Sequence, residues 1–485
     1  IDNLKLYNTL RASSAIMKRS NTTGGNVMPI ERQQFITQFS QQALDGRISL
    51  FLGSGGSRDA GYPNWAELFA PIAKELQIST NESTDYYRLA QYYTNAFGSG
   101  ALLQKINEQI NRNRYQSDLL EKLIDVGFTN IWTTNFDNAL EVNYQKQDVL
   151  INKLFKDQDF SNVDLNKRVN IFKMNGDISN LGSIIATQND FESYPDTHRI
   201  MLMFFKRELI SSTFLFIGYS FTDHLVLDSL SEITRYLGGT TNFHYAIMKS
   251  KPNDTNFKYF VEDLEKRYHI RVLLVDKYEE INDVLADLNE RIRCKKVFFS
   301  GSFRSYSKPI EEYSHQFSQH VSEAVLAADY RIVNGIGRRF GTHLIGYACE
   351  YLAREGVKNI ENHLIVRPFV AHNIGAYEKK NANRKKIISQ CGAAVFVFGD
   401  ITHAENNEKS GVIDEFEIAQ QQHKTIIPIA YPNTISELIW NYVKKNITEY
   451  PYLEGTIDFL TADCPPEKLA RIIVQILDTV LSAKQ

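Results

Sequence analysis

A glycine-rich segment near the start of the chain could bind phosphate groups. The sequence FLGSGGSRDAGYPNW (51–65) follows an apolar run and precedes a helical pattern. Gly53 and Gly55 let the backbone turn tightly and approach a ligand without a Cβ in the way, and Ser54 and Ser57 place hydroxyl groups beside them. Amides at the start of a helix favour a pyrophosphate. Taken alone, however, the segment is equally typical of an ordinary strand–helix turn.

Three later apolar runs also end in small or polar residues. They are WTTNFD (132–137), FKMNGD (172–177) and LFIGYSFTD (215–223). The positions that could act on a ligand are Thr134, Asn135, Asp137, Asn175, Gly218 and Ser220. Turn formation and helix capping explain each strand end taken singly. Because the carboxyl ends of strands in one parallel sheet meet at one edge, all four segments are expected to converge there and to bind a nucleotide.

The sequence indicates that an α/β domain positions these residues. Apolar runs of about strand length recur at 48–55, 129–137, 169–177, 212–220, 243–248 and 270–276. Their nearly continuous apolar character suits a parallel sheet that is buried on both faces. Helical patterns such as NWAELFAPIAKELQ (64–77) lie between the runs. The alternation predicts a doubly wound, Rossmann-like domain.

A second series of strand-like runs predicts a second, smaller domain of the same class. The runs lie at 295–302, 330–337, 362–369, 393–400 and 425–430, after a charged helical pattern at 279–296. A chain of 485 residues is also too long for one hydrophobic core. We predict an α/β protein with an N-terminal arm at 1–34, a first domain at 35–290 and a second domain at 291–485.

The composition is that of an ordinary globular protein and argues against several classes. A net charge of −3 gives no global basic field that would attract nucleic acid or acidic lipid. No apolar run approaches the ~20 residues that a membrane helix needs. The four cysteines lie far apart, without a Cys/His cluster at zinc spacing. We therefore expect reduced thiols in a cytoplasmic protein, no bound metal, and no nucleic-acid or membrane partner.

The predicted second domain combines small residues with basic residues at several strand ends. The candidate positions are Ser300, Gly301, Arg304, Gly335, Gly337, Arg367, Arg384, Lys385 and Glu415. Glycine turns and guanidinium groups favour a phosphate ligand, and Glu415 or Glu417 could accept hydrogen bonds from ribose hydroxyls. A generic α/β domain could contain any one of these features, but together they predict a nucleotide pocket.

The order of the strand-end motifs in the first domain resembles the sirtuin-like NAD-binding fold, in particular its bacterial branch that destroys NAD. The matching motifs are GSGGSRDAG (53–61), TTNFD (133–137), MNGD (174–177) and IGYSFTD (217–223), and the resemblance covers about residues 35–280. It implies three sets of contacts to NAD. These are pyrophosphate contacts from Gly53, Ser54, Gly55 and Ser57, nicotinamide-ribose contacts from Asn135 and Asp137 beside Thr134, and adenosine contacts from Gly218 and Ser220.

Two departures from the sirtuin pattern affect the predicted chemistry. Deacylating sirtuins carry four zinc cysteines in paired spacing, which this chain lacks, so a protein deacylase is not expected. The residue before Gly-Asp in the family is normally a histidine that acts as general base, whereas this chain has Asn175. An amide has no titratable proton near pH 7 and cannot replace that base. The other candidate bases, His198, His224 and His244, carry no matching motif and are expected to be structural or exposed.

Three accounts of Asn175 are open at this point. It could be an introduced substitution that keeps a ligand intact, which we favour because the rest of the site is preserved. It could be a natural departure in which Asn135 or a water molecule does the work. The domain could also be a natural pseudoenzyme. On the first account the chain has little activity, because loss of a general base costs about 10²–10⁴ in rate.

The second domain resembles the SLOG family, whose members process nucleotides or sense nucleotide-derived ligands. The matching motifs are SGS (300–302), GIGRRFG (335–341) and GVIDEFEIA (411–419), within about residues 295–430. A sirtuin-like domain followed by a SLOG domain is similar to the NADase effectors of Thoeris antiphage systems. In that family the SLOG domain binds a cyclic ADP-ribose isomer made by a partner with a TIR domain, and binding switches on NAD destruction.

The two resemblances together imply a ligand-gated NAD+ glycohydrolase that acts in abortive infection and assembles into a tetramer or filament. One alternative is a non-catalytic nucleotide-binding pseudoenzyme, which a native Asn175 would favour. A second alternative is a SLOG nucleotide-processing enzyme that the first domain regulates. The absence of a clear PGGxGT turn from the second domain disfavours that alternative.

Overall fold

The computed structural model describes residues 29–81, 84–111, 116–163, 165, 168–238, 242–304, 307–368, 376–401 and 410–483. Most of the N-terminal arm predicted at 1–34 therefore lies outside the described residues. The first described helix, α1, spans Arg32–Leu44. Two α/β units follow along the chain, and each is built on a parallel sheet. The predicted fold class is confirmed.

The first sheet has seven parallel strands in the order β3-β4-β2-β1-β5-β6-β7. The strands are β1 (Ile48–Leu52), β2 (Asn130–Thr133), β3 (Ile151–Leu154), β4 (Val169–Lys173), β5 (Thr213–Ile217), β6 (His244–Lys249) and β7 (Ile270–Val275). The chain reverses its direction of strand addition between β1 and β5, which lie side by side. Such a topological switch point opens a crevice at the carboxyl ends of the strands.

Helices cover both faces of this sheet. After α1 they are α2 (Trp65–Glu75), α3 (Tyr86–Phe97), α4 (Ser99–Ile110), α5 (Asp118–Val126), α6 (Ala139–Lys146), α7 (Gln188–Thr197), α8 (Arg199–Ser211), α9 (His224–Tyr236), α10 (Thr255–Tyr268) and α11 (Glu280–Cys294). Strand β1 shows why two helical layers are needed, because all five of its residues are buried. Leu50 and Leu52 belong to the core on one face, and Phe51 belongs to the core on the other.

Local capping fixes where the helices near the crevice begin. Asn64 and Glu67 form a capping box at the start of α2, with each side chain bonded to the backbone of the other residue. Ser117 caps α5 in the same region by accepting from Leu120 N at 3.2 Å. The segment between β1 and α2 is therefore held at both ends, with a short 3₁₀ turn at Ser54–Ser57.

Helix α11 links the two units directly. Its buried residues Leu285 and Leu288 belong to the core of the first unit, and β8 begins at Lys296, only two residues after the helix ends. Asn289 donates to Lys122 O at 2.9 Å and connects α11 to the middle of α5. The two units are thus joined by a rigid helix–strand junction rather than by a long linker.

The second sheet has five parallel strands in the order β10-β9-β8-β11-β12, again with a reversal, here between β8 and β11. The strands are β8 (Lys296–Ser300), β9 (Arg331–Asn334), β10 (Leu364–Val366), β11 (Ala393–Val397) and β12 (Thr425–Ile429). The helices are α12 (Lys308–Ala327), α13 (Phe340–Arg354), α14 (Ala376–Ser389), α15 (Gly411–Gln421), α16 (Ile435–Lys445) and α17 (Pro466–Ala483). One continuous apolar core connects these elements.

A polar contact joins the second sheet to the first unit. Arg331, at the start of β9, is 1% exposed and pairs with Asp45 at 3.1 Å and with Asp329 at 2.7 Å. Asn362 donates to the Asp45 carbonyl oxygen at 2.8 Å. Asp45 follows α1 and lies three residues before β1, so this contact connects one central strand of each sheet.

Candidate active site and ligand pocket

The loops after β1 and β2 are joined through the side chain of Asn135. Its Nδ2 donates to Gly53 O at 3.1 Å and lies 3.0 Å from Ser57 Oγ. The Ser57 hydroxyl in turn lies 3.3 Å from Asp137 Oδ1. Thr133 supports this geometry because its hydroxyl donates to Leu52 O at 2.7 Å. The amide, hydroxyl and carboxylate that the sequence analysis singled out thus form one connected group.

Glycines join the turn after β1 to the turn after β5 by direct backbone contact. Gly55 N donates to Gly218 O at 3.0 Å. Gly218 has a φ of +64°, and a Cβ there would lie 2.1 Å from Gly56 N. A Cβ on Gly53 would lie 2.3 Å from Gly218 O. The sequence analysis assigned these glycines to close approach of a ligand, but the two loops themselves already require them.

A buried lysine organises the loops after β2 and β4. Lys173 Nζ lies 2.7 Å from Asp177 Oδ2 and 3.2 Å from Glu141 Oε1, and it donates to the carbonyl oxygens of Phe136 and Asp137. Burial alone would lower the pKa of Lys173, but the carboxylates of Glu141, Asp177 and Asp137 raise it above its usual value. The ammonium group therefore holds the backbone of the loop that carries Asp137.

The pKa shifts of Asp137 and Asp177 have opposite directions because the surroundings of the two carboxyl groups differ. Burial raises the pKa of Asp137, and the Lys173 charge offsets only part of that effect. Burial also opposes ionisation of Asp177, but Lys173 and the hydrogen bonds from Lys173, Ser179 and Lys153 lower the pKa of Asp177 to about 2. Asp177 is therefore a fixed structural anion, and Asp137 is the carboxyl group that reaches the cleft.

Asn175 is fully buried and connects the β4 loop to the β5 loop through a tyrosine. Asn175 Nδ2 donates to the Tyr87 hydroxyl at 3.1 Å, and that hydroxyl donates to Asp223 Oδ2 at 3.3 Å. Burial and the nearby Asp223 raise the pKa of Tyr87, so its phenol stays protonated and can donate. The sequence analysis missed Tyr87, since a tyrosine on helix α3 carries no motif that marks it.

Two amide oxygens in the site are buried without a hydrogen-bond partner among the described protein atoms. They are Asn135 Oδ1 and Asn175 Oδ1. Buried polar atoms without a partner are uncommon in native proteins, and each one calls for a reason such as a missing water or ligand. Both amides therefore keep one acceptor available for a bound molecule.

A small cleft of about 20 Å³ lies beside these loops. Four predicted site residues line it together with aromatic and apolar side chains: Ser54, Thr134, Asn135, Asp137, Tyr62, Trp65, Phe136, Pro63, Leu68 and Ile110. Gly53, Gly55, Ser57 and Gly218 lie in the loops behind this lining. Ser220 is exposed and hydrogen-bonds to Thr222 at 2.8 Å, so the structure does not bring it to the cleft.

The cleft in this form is too small for a dinucleotide. It offers room for about one water molecule, whereas ligand pockets typically measure about 300–1,000 Å³. The α2–α4 side of the cleft, which carries Trp65 and Ile110, must therefore separate from the strand-end loops before a large ligand enters.

Two of the three histidines considered as alternative bases make structural contacts. His244 lies in β6 and accepts from Phe214 N at 3.1 Å, and burial together with His269 lowers its pKa to about 3. His198 stacks on Tyr194 with ring centroids 4.5 Å apart. The side chain of His224 lies outside the described residues.

The second unit contains a larger cavity, of about 430 Å³, at its own switch point. Six residues from the sequence analysis line it: Gly301, Arg304, Gly335, Gly337, Arg384 and Glu415. The lining also includes Arg338, Lys380 and Asp400. Four basic and two acidic side chains therefore surround the cavity, and this balance favours an anionic ligand.

A buried charge network forms one wall of this cavity. Arg384 Nε lies 3.2 Å from Glu415 Oε1, and Arg384 Nη1 lies 3.1 Å from Asp414 Oδ2. Ser300 donates to Glu415 from the end of β8. Burial raises the pKa of Glu415, and Arg384 offsets part of that rise. Ser300 therefore acts on the cavity through Glu415.

Besides Ser300, two residues of the predicted ligand set lie outside the cavity lining. Arg367 is exposed, and its Nη1 donates to Val366 O at 3.1 Å. Lys385 is exposed on α14, where its carbonyl accepts from Gln422 at 3.0 Å. Helix geometry separates it from Arg384, because adjacent helical residues point about 100° apart. Lys380, which lies one helical turn before Arg384 on α14, lines the cavity instead of Lys385.

Comparison with known proteins defines the class of the two units. Residues 129–273 match the SIR2-like domain family, and residues 280–480 match the Sir2- and TIR-associating SLOG family. The chain therefore joins a SIR2-like domain to a Sir2- and TIR-associating SLOG domain, as the motifs predicted.

The whole chain is similar to proteins named NAD(+) hydrolase ThsA. The relative from Bacillus cereus (strain MSX-D12) is 26% identical over 463 residues, which cover 92% of this chain and 96% of the relative. The relative from Enterococcus faecium is 28% identical over 87% of this chain and 92% of its own length. A shorter match, 21% identical over 39% of this chain and 19% of the relative, is to Defense-associated sirtuin 2 of Bacillus subtilis. The chain is thus ThsA-like over most of its length.

Two further observations concern membrane-spanning helices and disulfide bonds. Across the described residues, no helix combines the length and the apolar character required to cross a bilayer. All four cysteines lie in the described part of the chain, and none of them is in a disulfide bond.

Proposed function

We propose that the protein is an NAD+ glycohydrolase in which the SLOG domain controls the SIR2-like domain. The observation that carries the proposal is the connected group Ser57–Asn135–Asp137 at the β1/β5 switch point of a SIR2-like domain. Relatives that are named NAD(+) hydrolase ThsA over nearly the same length support the activity. The match of this chain to the Sir2- and TIR-associating SLOG family, and its match to Defense-associated sirtuin 2, support a role in antiphage defence.

The reaction breaks the glycosidic C–N bond between nicotinamide and ribose. The bonding pair leaves with nicotinamide as a neutral ring, positive charge develops at the ribose, water adds there, and one proton is released. Asp137 supplies negative charge beside the cleft, which would stabilise an oxocarbenium-like transition state. Asn135, whose Oδ1 is available, would orient the water or a ribose hydroxyl.

Asn175 occupies the place where a general base would act, and it sets the level of activity. Its Nδ2 is bonded to Tyr87, and its Oδ1 could accept a hydrogen bond from a substrate, but the amide cannot accept a proton near pH 7. We infer that the chain with Asn175 binds NAD and hydrolyses it slowly. Introduction of a base at this position is expected to raise the rate by about 10²–10⁴.

The SLOG cavity is proposed to bind a cyclic ADP-ribose isomer supplied by a TIR-domain synthase. A volume of about 430 Å³ and four basic lining residues suit a compact diphosphate. The small cleft in the SIR2-like domain supports a closed resting state that ligand binding opens. We also propose that the protein assembles into a tetramer or filament and acts in the cytoplasm. Its consumption of NAD would then cause abortive infection.

Product analysis tests the enzymatic part. The full-length Asn175→His chain would be incubated with NAD+ and cyclic ADP-ribose isomers, and nicotinamide and ADP-ribose would be quantified. We expect equal amounts of the two products, and their loss in the Asn175→His/Asn135→Ala double variant. The proposal is wrong if NAD+ stays intact under all of these conditions in a folded protein.

A second candidate function is a non-catalytic NAD sensor, which Asn175 itself favours. The same experiment separates the two functions. A sensor would bind NAD+ with either residue at position 175 and would release no nicotinamide, whereas an enzyme would release it once a base is present.

A further inference from the structure

Three side chains that commonly bind metals meet between helices α12 and α13 of the SLOG domain. Glu311 and His315 lie one turn apart on α12, and His343 lies on α13. One ligand atom from each residue lies within 4.8 Å of the others. None of the three lines the ligand cavity described above. The sequence analysis missed the group because one of its members lies 28 residues away on another helix.

The separations within the group are close to those of a metal site. His343 Nε2 lies 3.4 Å from Glu311 Oε1, and neighbouring ligand atoms around a tetrahedral ion with bonds of about 2.0–2.1 Å are about 3.3 Å apart. The imidazoles of His315 and His343 stack with their centroids 3.9 Å apart and their planes 23° apart. Rotation of the side chains would be needed to bring all three ligand atoms onto one ion, because the two imidazole planes are nearly parallel.

Outer contacts orient both imidazoles. His343 Nδ1 lies 2.9 Å from Ser314 Oγ, and His315 Nδ1 lies 3.2 Å from the Tyr347 hydroxyl. Histidines that bind metals usually place their other ring nitrogen in such a hydrogen bond, which fixes the tautomer. When each Nδ1 donates to its hydroxyl, each Nε2 presents a lone pair. The lone pair of His343 then faces a carboxylate oxygen, an arrangement that a cation between them would stabilise.

The two carboxylate oxygens of Glu311 face different partners. Arg339 Nη1 bonds to Glu311 Oε2 at 3.1 Å. That contact occupies one carboxylate oxygen and leaves Oε1, the oxygen near His343, for a metal.

We propose that Glu311, His315 and His343 bind a divalent transition-metal ion, with Zn²⁺ as the best match. Two imidazoles and one carboxylate are a typical zinc ligand set, and a water molecule would complete four-fold coordination. Helix α13 begins at Phe340, directly after the glycine turn that lines the ligand cavity. The ion therefore clamps α12 to the helix that follows this turn.

Metal titration of the full-length chain without a histidine tag tests the site. After treatment with a chelator, the protein would be titrated with ZnCl₂ in a calorimeter and with CoCl₂ in an absorption spectrometer. We expect one site per chain and the visible absorption of four-coordinate Co²⁺. Tyr347→Phe, which removes an outer contact, should weaken Zn²⁺ binding by about 10–100-fold, and His343→Ala or His315→Ala should weaken it at least as much.

His320→Ala is the matched control, because it removes a histidine from the same helix outside the group. It should bind Zn²⁺ as the unchanged chain does. Glu311→Gln offers a second ligand variant that keeps the side-chain volume if a histidine variant fails to fold. The proposal is wrong if the unchanged chain binds no Zn²⁺, or if the ligand variants and His320→Ala bind Zn²⁺ with the same affinity and stoichiometry.

Discussion

At the scale of single residues, the site depends on side chains that hold other side chains in place. Tyr87 is an example, because its hydroxyl lies between Asn175 and Asp223 and so joins two loops. The hydroxyl does not need to touch substrate in order to affect the rate. It acts as a positioning residue for whatever group occupies position 175.

Tyr87→Phe is expected to lower the activity of the Asn175→His chain without unfolding it. Loss of one positioning hydrogen bond should reduce kcat by about two- to tenfold, because the ring remains and only the hydroxyl is removed. The matched control is Tyr86→Phe on the same helix, whose ring packs on Phe69 at 5.8 Å. Equal kcat values for the two variants, measured by nicotinamide release, would argue against a positioning role for Tyr87.

Lys173 gives a prediction about stability. Lys173→Met would leave the Glu141 carboxylate buried without its cation and would leave Asp177 with Lys153 as its remaining lysine partner. Removal of one partner of a buried ion pair typically costs about 3–5 kcal/mol. The control is Lys206→Met, which removes a partly exposed pair with Glu232 at 2.6 Å and should cost less than about 1 kcal/mol. Urea unfolding followed by circular dichroism measures both effects. Similar shifts of the unfolding midpoint in both variants would contradict the role given to Lys173.

The same cluster predicts how stability changes with pH. The pKa of Asp177 is about 2 in the folded protein, below its value of about 4 in an unfolded chain. Its stabilising contribution is therefore present above about pH 4 and is lost as the pH falls towards 2. In Lys173→Met the pKa of Asp177 should rise towards its unfolded value, so the stability that is lost between about pH 4 and pH 2 should become smaller.

At the scale of elements, the turns after β1 and β5 are held by glycine contacts. Gly218 has a φ of +64° and no room for a Cβ. Gly238 has a φ of +59°, but no described atom lies within 4 Å of the position that its Cβ would occupy. A comparison of substitutions at Gly218 and Gly238 therefore separates the cost of backbone strain from the cost of a steric clash. Strain alone is common to both glycines, and the clash is confined to Gly218.

Gly218→Ala should destabilise the protein more than Gly238→Ala does. The control should lose about 1 kcal/mol from its left-handed backbone, and Gly218→Ala should lose about 1–3 kcal/mol more from the clash with the β1 turn. Thermal unfolding of both variants measures the difference. Equal melting temperatures would show that the two turns do not need their close contact.

The sequence predicted most strands of the first sheet, but it did not predict strand β3. Strands β1, β2, β4 and β5 were visible as apolar runs because their residues are buried on both faces. Strand β3 was missed because it lies at the edge of the sheet and carries the polar residues Asn152 and Lys153. A strand that is buried on both faces is a nearly continuous apolar run in the sequence, whereas β3 has apolar residues only at its two ends.

The sequence likewise predicted some residues of the candidate site and not others. Residues at strand ends, such as Asn135 and Asp137, were predictable because parallel strands end at one edge. Tyr87 and Lys173 were not, because their importance comes from contacts across 88 and 36 residues of chain, respectively. The cavity lining contains Lys380 rather than Lys385 for a related reason, since only the helical phase of α14 decides which lysine faces inward.

At the scale of the whole molecule, the contact between Arg331 and Asp45 links the SLOG sheet to the SIR2-like sheet. Arg331 begins β9, and the turn that follows β9 lines the ligand cavity. Asp45 lies just before β1, whose far end carries Gly53. A shift of β9 on ligand binding would therefore reach β1 through this ion pair.

Asp45→Asn is expected to weaken coupling between the domains while ligand affinity stays the same. Activation of the Asn175→His chain by ligand should fall by about fivefold or more. The control is Asp329→Asn, because Asp329 pairs with the same arginine at 2.7 Å but lies within the SLOG domain. Nicotinamide release and ligand titration measure the two quantities. Unchanged activation in Asp45→Asn, or an equal loss in both variants, would contradict this route.

The central claim is that a ligand in the SLOG cavity controls NAD+ hydrolysis in the SIR2-like domain. The most direct test is the rate of nicotinamide release by full-length Asn175→His with and without a cyclic ADP-ribose isomer. Release should require the ligand, and Arg384→Met in the cavity wall should abolish the response. Release at the same rate without ligand, or an unchanged response in Arg384→Met, would contradict the account.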